Sequence, residues 1–397
     1  MHLLAHLVAR QPSPAHIQAM RKLVVALACA WLPFASPAPA QQSVDLLPPK
    51  LDKGADPNDW EAFYDYGVRM LTRMPSQANA AFYWAERKDP TRAEPIFGQW
   101  AAFWMLDFSE WPDYLQGSPR VLQDPKVRAA DSLRYRSWER NPFVNQALWM
   151  VITNKLPGEW NTYPYTRGWI EYTNQHYALA IDNFTVSLGS GDQYYWRRYD
   201  IALVYTQVGR YDSAAAQMEL LLATMRKQDR KSLIYFYQSK AMYEYALGLL
   251  YMAQGKFGDA REAQARAIQE DLAFAPAHAA LGRIAAIRRD TATAVSEYAT
   301  AVELAPRDGA MRYWYGGALL RAMRPVEGAE QLRQAVRLEP YFADSYMALG
   351  SAYESLADTA KAVAAYGDFI KWAPKRYADN IARAQSRLAA LGAKTSP

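Results

Sequence analysis

The side chains that could carry proton-transfer or metal chemistry are few in this sequence, and their spacing gives them little to work with. Of five histidines, His2, His6 and His16 lie near the start, leaving His176 and His278 about a hundred residues apart. Histidine is the usual proton carrier near neutral pH and the commonest metal ligand. Neither of these two stands in a His-Glu-x-x-His pattern or beside a candidate serine nucleophile. The single cysteine, Cys29, falls in the N-terminal stretch. A chain processed beyond it has no thiol for a disulfide, a metal or nucleophilic attack. Asp107 with Glu110, and Glu159 with Glu171, are carboxylate pairs, but a glycosidase needs two carboxyls at a defined separation across a cleft. Any chain with 40 acidic residues contains such pairs. No glycine loop that could cradle phosphate is present. The expectation is a protein that is not an enzyme and holds no cofactor and no metal.

The elements that could position a binding surface are better specified. At 397 residues and 51% hydrophobic composition, the chain has enough apolar material for a substantial core. Lys and Arg outnumber Asp and Glu by 45 to 40, but Arg10, Arg21 and Lys22 lie in the first 40 residues, which contain no acid. Without those residues the balance is 42 to 40, too even for a phosphate-tracking stripe, so nucleic acid is not an expected partner. From Met20 the order is Arg21-Lys22, an apolar run from Leu23 to Leu32, and Ala38-Pro39-Ala40. A basic start, a short apolar run and a small-x-small end make a secretory signal, with cleavage after Ala40 and Met20 rather than Met1 as the start. A periplasmic or extracellular location follows, and lipidation at Cys29 is the alternative. No later apolar run is long enough to span a bilayer. Residues 41–59 read as a polar linker.

The strongest pattern is a period of 34 residues. Gly248, Gly282, Gly316 and Gly350 recur at that spacing, each after Leu247, Leu281, Tyr315 or Leu349. Ala260, Ala294, Gly328 and Ala362 follow twelve residues later, and Pro306, Pro340 and Pro374 close the last three units. In the first unit Leu272 takes the proline's place and Pro276 comes four residues on. Small residues at fixed spacing predict close helix crossings, with Tyr251, Tyr298, Tyr353 and Tyr366 filling the space between successive helix pairs. Proline ends each pair by removing a backbone donor, and Asp290 and Asp358 suit N-caps.

This pattern resembles the tetratricopeptide repeat, whose large residue, Leu, Gly and Tyr on one helix precede Ala, an aromatic, Ala and Pro on the next. The resemblance implies an all-α fold, a right-handed α-solenoid of antiparallel helix pairs with a C-terminal capping helix. It is strong over 241–376, four repeats, and weaker over 161–228, where Ala202, Tyr205, Gly209, Tyr211 and Ala214 form one unit and Gly168, Tyr177, Ala180 and Phe184 another. An insert around Lys227 to Lys240 separates the two stretches. Within 60–160, a degenerate Trp-rich region, Ala78, Phe82, Ala85 and Pro90 resemble half a repeat and Gly98 opens the next. Between 105 and 160 the pattern is lost, and helices are expected near Lys126–Trp138 and Phe143–Asn154. The run 377–392 reads as the cap.

In the family the concave wall is lined by set positions of the first helix of each pair. Transferred here, the resemblance implies a partner-binding face of Tyr245, Leu249, Met252, Arg283, Ile287, Tyr313, Leu320, Arg321, Met347, Ser351 and Glu354. Its mixed apolar and charged character suits a protein or peptide partner. The Lys and Asn with which some members grip a C-terminal carboxylate are missing, since Tyr245, Leu249, Ala280, Arg283, Ala310 and Trp314 stand at the matching positions. Ten of thirteen tryptophans lie between Trp60 and Trp196. They either fill wide helix packing or form a glycan-binding or glycan-processing surface, the alternative function for an exported chain.

Overall fold

The computed structural model describes residues 46–106, 125–144, 149, 153, 158, 162–230 and 239–392. All of its elements belong to the unit Leu47–Pro397. Among the described residues there are seventeen α-helices and no strand. In chain order they are α1 Trp60–Met70, α2 Pro75–Lys88, α3 Glu94–Leu106, α4 Pro125–Arg140, α5 Pro164–Thr173 and α6 Tyr177–Ser187. Then come α7 Arg198–Gln207, α8 Tyr211–Asp229, α9 Ala241–Ala253, α10 Phe257–Glu270, α11 Ala275–Ile287 and α12 Thr291–Leu304. The series ends with α13 Gly309–Arg321, α14 Pro325–Leu338, α15 Ala343–Ser355, α16 Thr359–Trp372 and α17 Ala378–Ala390. Helices adjacent in sequence pack on one another in hairpin pairs, the α-solenoid arrangement.

The recurring glycine has a single physical job. A Cβ on Gly168, Gly282 or Gly350 would meet the ring of Phe184, Tyr298 or Tyr366 at 2.5, 3.0 and 2.6 Å, and one on Gly316 would meet Leu332 Cγ at 2.6 Å. In each case the partner stands sixteen residues later, on the second helix of the pair. The glycine therefore makes room for a large side chain of its own repeat. This adds to the expectation for Tyr298 and Tyr366, whose rings also fill the crossing within their own pair. Tyr251 bridges successive pairs, its hydroxyl donating to Glu219 on the preceding pair. Tyr353 lines, with Tyr315 and Leu319, the groove against the preceding pair.

The turns inside the pairs repeat as faithfully. Gly209, Gly255, Arg289, Met323 and Ala357 all adopt positive φ, between 56° and 73°. At Arg289 the backbone N–H groups of Arg289 and Asp290 donate to Ala286 and Ala285 at 3.1 and 2.9 Å. The same two bonds recur at Met323–Arg324 and Ala357–Asp358, closing each first helix with a Schellman motif. The second helix then starts on Asp290, which accepts from Thr293 N at 3.1 Å, or on Asp358, which accepts from Lys361 N at 3.2 Å. Asp308 caps α13 in the same way, accepting from Met311 N at 2.9 Å.

Upstream, Ala78, Phe82 and Ala85 are fully buried on α2. Phe82 is wedged between two glycines, because a Cβ on Gly67 or Gly98 would meet its ring at 2.7 or 2.4 Å. A helix does cover Lys126–Trp138, as α4. Phe143 and Val144 stand in a turn, and most of the other expected helix, Phe143–Asn154, lies outside the described residues, as do Asp107, Glu110, Glu159 and the leader with its candidate cleavage site.

Candidate functional site

Three first helices are met from within the chain by α4, and the ends of the last two second helices by α2 and the loop before α1. The Tyr245 hydroxyl on α9 donates to the Glu139 carbonyl on α4 at 2.9 Å. Trp138 packs against Tyr199 of α7, ring centroids 6.1 Å apart. Arg140, at the last residue of α4, donates to the Asp308 carboxylate at 2.6 Å and lies 5.9 Å from the Trp314 ring. The α4 helix thus reaches α7, α9 and α13 from within the chain.

A second set of contacts ties α1 and α2 to the last two pairs. Asn58 Nδ2 donates to the Lys371 carbonyl at 2.9 Å, and the Lys375 N–H donates to Asp56 at 2.6 Å. Arg376 pairs with Asp59 and Glu61 at 3.1 and 2.5 Å. Arg87 donates to the Leu338 carbonyl at 3.3 Å and to Glu339 at 3.1 Å. Trp84 stacks edge-on against Tyr341, which does the same to Trp372. The Lys88 ammonium sits 5.4 and 4.9 Å from those last two rings and donates to Asn58 at 3.1 Å.

Enclosure shifts the charged groups of this seam. Burial pushes Lys88 down to about 8, against the opposing pull of Asp56. Burial also raises Glu339 to about 7, despite Arg87 beside it, and raises Asp344 to about 6, helped by the Asp89 charge. Tyr245 and Tyr313 are pushed to about 12, mainly by burial.

A cavity of about 220 Å³ lies beside these contacts. Arg92, Glu139 and Arg140 form one side, and Tyr245, Ala279, Arg283, Tyr298, Met311 and Trp314 the other. Among the described residues no group of three metal-ligating side chains occurs. His278 is bonded to Glu297 at 2.8 Å and His176 to Glu171 at 2.9 Å, each on its own.

The eleven wall residues named from sequence divide accordingly. Tyr245 is buried, at 5% exposure, and bonded to α4, so it is not an open part of the wall. Tyr313 is half-buried with its ring 5.2 Å from Phe342. Leu249, Met252, Leu320 and Met347 are half-buried, and Glu354 is paired with Arg387. Arg283, Ile287, Arg321 and Ser351 are exposed. The open residues on α11 and α13 stand toward the C-terminal ends of those helices, and of them Arg283 also borders the cavity that Glu139 and Arg140 line. Sequence reasoning missed the covering residues Arg87, Glu139 and Arg140, whose partners stand 106 to 252 residues distant in the chain, and Lys88, whose ring partners Tyr341 and Trp372 are farther still, so none carries a local signal.

The tryptophans of the N-terminal half are largely core. Trp60, Trp100, Trp104 and Trp169 are buried, the Arg134 guanidinium lies 5.2 and 4.4 Å from Trp100 and Trp138, and Trp149 stacks on Trp169 at 4.0 Å. Trp196 is the exposed exception, and Trp111 and Trp160 lie outside the described residues. No helix among the described residues is long and apolar enough to cross a membrane.

One helix pair matches a known repeat family. Residues 343–376, which hold α15 and α16, match the family model described as tetratricopeptide repeat. No curated protein matches the chain. Among solved structures, the chain is similar to the C-terminal part of a TPR repeat-containing protein from Cytophaga hutchinsonii, with 17% identity, 57% of this chain and 87% of that chain covered, and a TM-score of 0.47. It is also similar to MamA, at 20% identity, with 45% and 97% covered and a TM-score of 0.39. A third is YrrB, described as a TPR protein with an unusual peptide-binding site, at 19% identity, with 48% and 92% covered and a TM-score of 0.39. Residues 343–376 are a tetratricopeptide repeat, set in an α-solenoid whose neighbouring pairs follow the same 34-residue plan.

Proposed function

We propose that this chain is an exported protein-interaction scaffold of the cell envelope, which holds a protein or peptide partner on the part of its inner wall that the N-terminal half leaves open. The observation that carries the reading is the stacking of like helix pairs from Ala241 to Trp372, one of them matching the tetratricopeptide model. Such stacking presents equivalent side chains of successive first helices on one continuous surface, and scaffolds of this kind bind by varying those side chains. The exposed Arg283, Ile287, Arg321 and Ser351 supply the variable positions here. Export rests on the run from Arg21 to Ala40, whose basic, apolar and small-residue parts are those a signal peptidase substrate needs.

Two experiments test the reading. Mass spectrometry of the protein recovered from its host should find a chain beginning at Gln41, and a cytoplasmic chain that retains its leader would contradict export. A photo-crosslinking residue at Arg321 should trap a discrete partner in intact cells, whereas one at the exposed Glu303, at the far end of the neighbouring α12, should not. No product from the Arg321 position, or the same products from both, would contradict the wall as the binding face.

A further inference from the structure

The open edge of the wall has an unusual charge balance. Arg283 and Arg321 on α11 and α13, with Arg288 and Arg289 in the turn after α11, are all exposed. None of the four has a carboxylate within ion-pair distance among the described residues, and the hydrogen bond found for Arg283 goes to Met252 Sδ at 3.6 Å. Neighbouring carboxylates are already engaged. Asp290 caps α12, Glu327 is held by Arg324, Glu330 by Arg333 and Glu354 by Arg387. Other cations of these repeats are matched, as Arg266 is to Glu244 and Lys361 to Asp358. Among the described residues Arg307, just before α13, is exposed and unpaired too, but α11, the turn after it and α13 together hold four such arginines. Burial raises the Tyr298 phenol and the charges of Arg283 and Arg321 both oppose it, so the two arginines share that ring as a neighbour.

Apolar side chains share the edge. Ile287, one turn beyond Arg283 on α11, is 52% exposed, and Met323, in the turn after α13, is 86% exposed. Met323 and Arg289 occupy the positive-φ position that glycine fills at Gly209 and Gly255. A side chain there strains the backbone, and neither projects inward to repay that strain with burial.

We infer that this edge, made by the C-terminal ends of α11 and α13 and their turns, receives an acidic protein segment that carries apolar side chains. The inference rests on the scaffold reading and specifies its partner. Guanidinium groups free of intramolecular carboxylates offer paired donors to Asp and Glu side chains, while Ile287 and Met323 give apolar anchors that a nucleic acid would leave in water. Charge steers the encounter and the apolar contacts hold it.

The test uses the processed full chain and a fluorescent helical peptide built from Glu and Leu, with a Lys and Leu peptide of equal length and a duplex DNA oligonucleotide as comparators. Anisotropy should show saturable binding of the Glu and Leu peptide and none of the Lys and Leu peptide. Arg283→Gln with Arg321→Gln should weaken it by about tenfold or more, each lost charge-assisted hydrogen bond counting heavily. Arg307→Gln, which removes an exposed and equally unpaired arginine at the opposite end of α13, should leave the affinity within about twofold, as exposed charges at a distance are screened. Unchanged helical circular dichroism and thermal midpoint would show that the variants fold. Absence of binding, equal weakening by Arg307→Gln, or duplex DNA binding as tightly as the peptide would each overturn the inference. If the Arg321 crosslinker still traps a partner while the acidic peptide is ignored, the scaffold reading stands and this partner chemistry falls.

Discussion

The helices from Trp60 to Arg140 and the pairs from Ala241 to Trp372 share one crossing device and differ in what lies on their inner side. Phe82 rests on Gly67 and Gly98 much as Tyr366 rests on Gly350. The later pairs stack on copies of themselves, so each position meets the same neighbour every 34 residues. The earlier helices meet the ends of those pairs and the loops between them, where Lys88 stands against two rings and Arg140 against a carboxylate. A repeat stays regular where its neighbours are repeats, and drifts where they are not.

The largest effects should come from the shared crossing. Gly350→Leu places atoms inside the Tyr366 ring and should cost about 3 kcal/mol, and Gly67→Leu against Phe82 should cost a similar amount, about 3 kcal/mol, read by urea unfolding. A much smaller loss at Gly67 would show that the two regions do not cross alike. Gly258→Ala, in open space on α10, is the control and should stabilise by roughly 0.5–1 kcal/mol.

The covering contact comes next. Arg140→Ala leaves the mostly buried Asp308 carboxylate without its partner and should cost about 2–3 kcal/mol, with Tyr245 becoming accessible to nitration. An Arg140→Ala protein that keeps Tyr245 protected would mean that α4 is held mainly by its apolar contacts.

Acidity should act through Glu339 and Asp344. Their folded values, about 7 and about 6, lie above the ordinary carboxylate range, so the folded state binds more protons than the unfolded chain between that range and pH 7. Their contribution is therefore fully present below the unfolded values and is lost as pH rises through the folded ones. The thermal midpoint should be higher near pH 5.5 than near pH 8, and Glu339→Gln should flatten the profile. A midpoint that rises with pH over this interval would contradict the seam's burial.

The smallest effect concerns the turns. Ala357→Gly should stabilise by about 0.5–1 kcal/mol by relieving positive φ, whereas Gly255→Ala, the reverse exchange in a companion repeat, should destabilise by about 1 kcal/mol.

The period, the crossings and the Asp290 and Asp358 caps could be read from sequence because each depends on residues within one repeat. The Schellman turns were half visible, since Gly209 and Gly255 stand in the phase of Arg289, Met323 and Ala357, but three of those five residues give no glycine signal. Gly67 escaped because the unit it opens is 31 residues from Gly98 and not 34. The covering of the wall was invisible. The bond between Tyr245 and Glu139 joins residues 106 apart, and nothing in the local pattern of either marks it. Transferring concave positions from a family assumes an empty groove, and here α4 occupies part of it, at Tyr245.

The folding back of the N-terminal helices onto the last pairs is the central claim, and a short crosslink measures it. Asn58→Cys with Lys371→Cys, on a Cys29→Ser background, brings two thiols to the place where the Asn58 amide meets the Lys371 carbonyl at 2.9 Å. A bismaleimide of short span should join them rapidly within one chain at dilute protein concentration, giving a monomer of faster mobility and a crosslinked peptide pair by mass spectrometry. Only intermolecular product, or none, would contradict the closed arrangement.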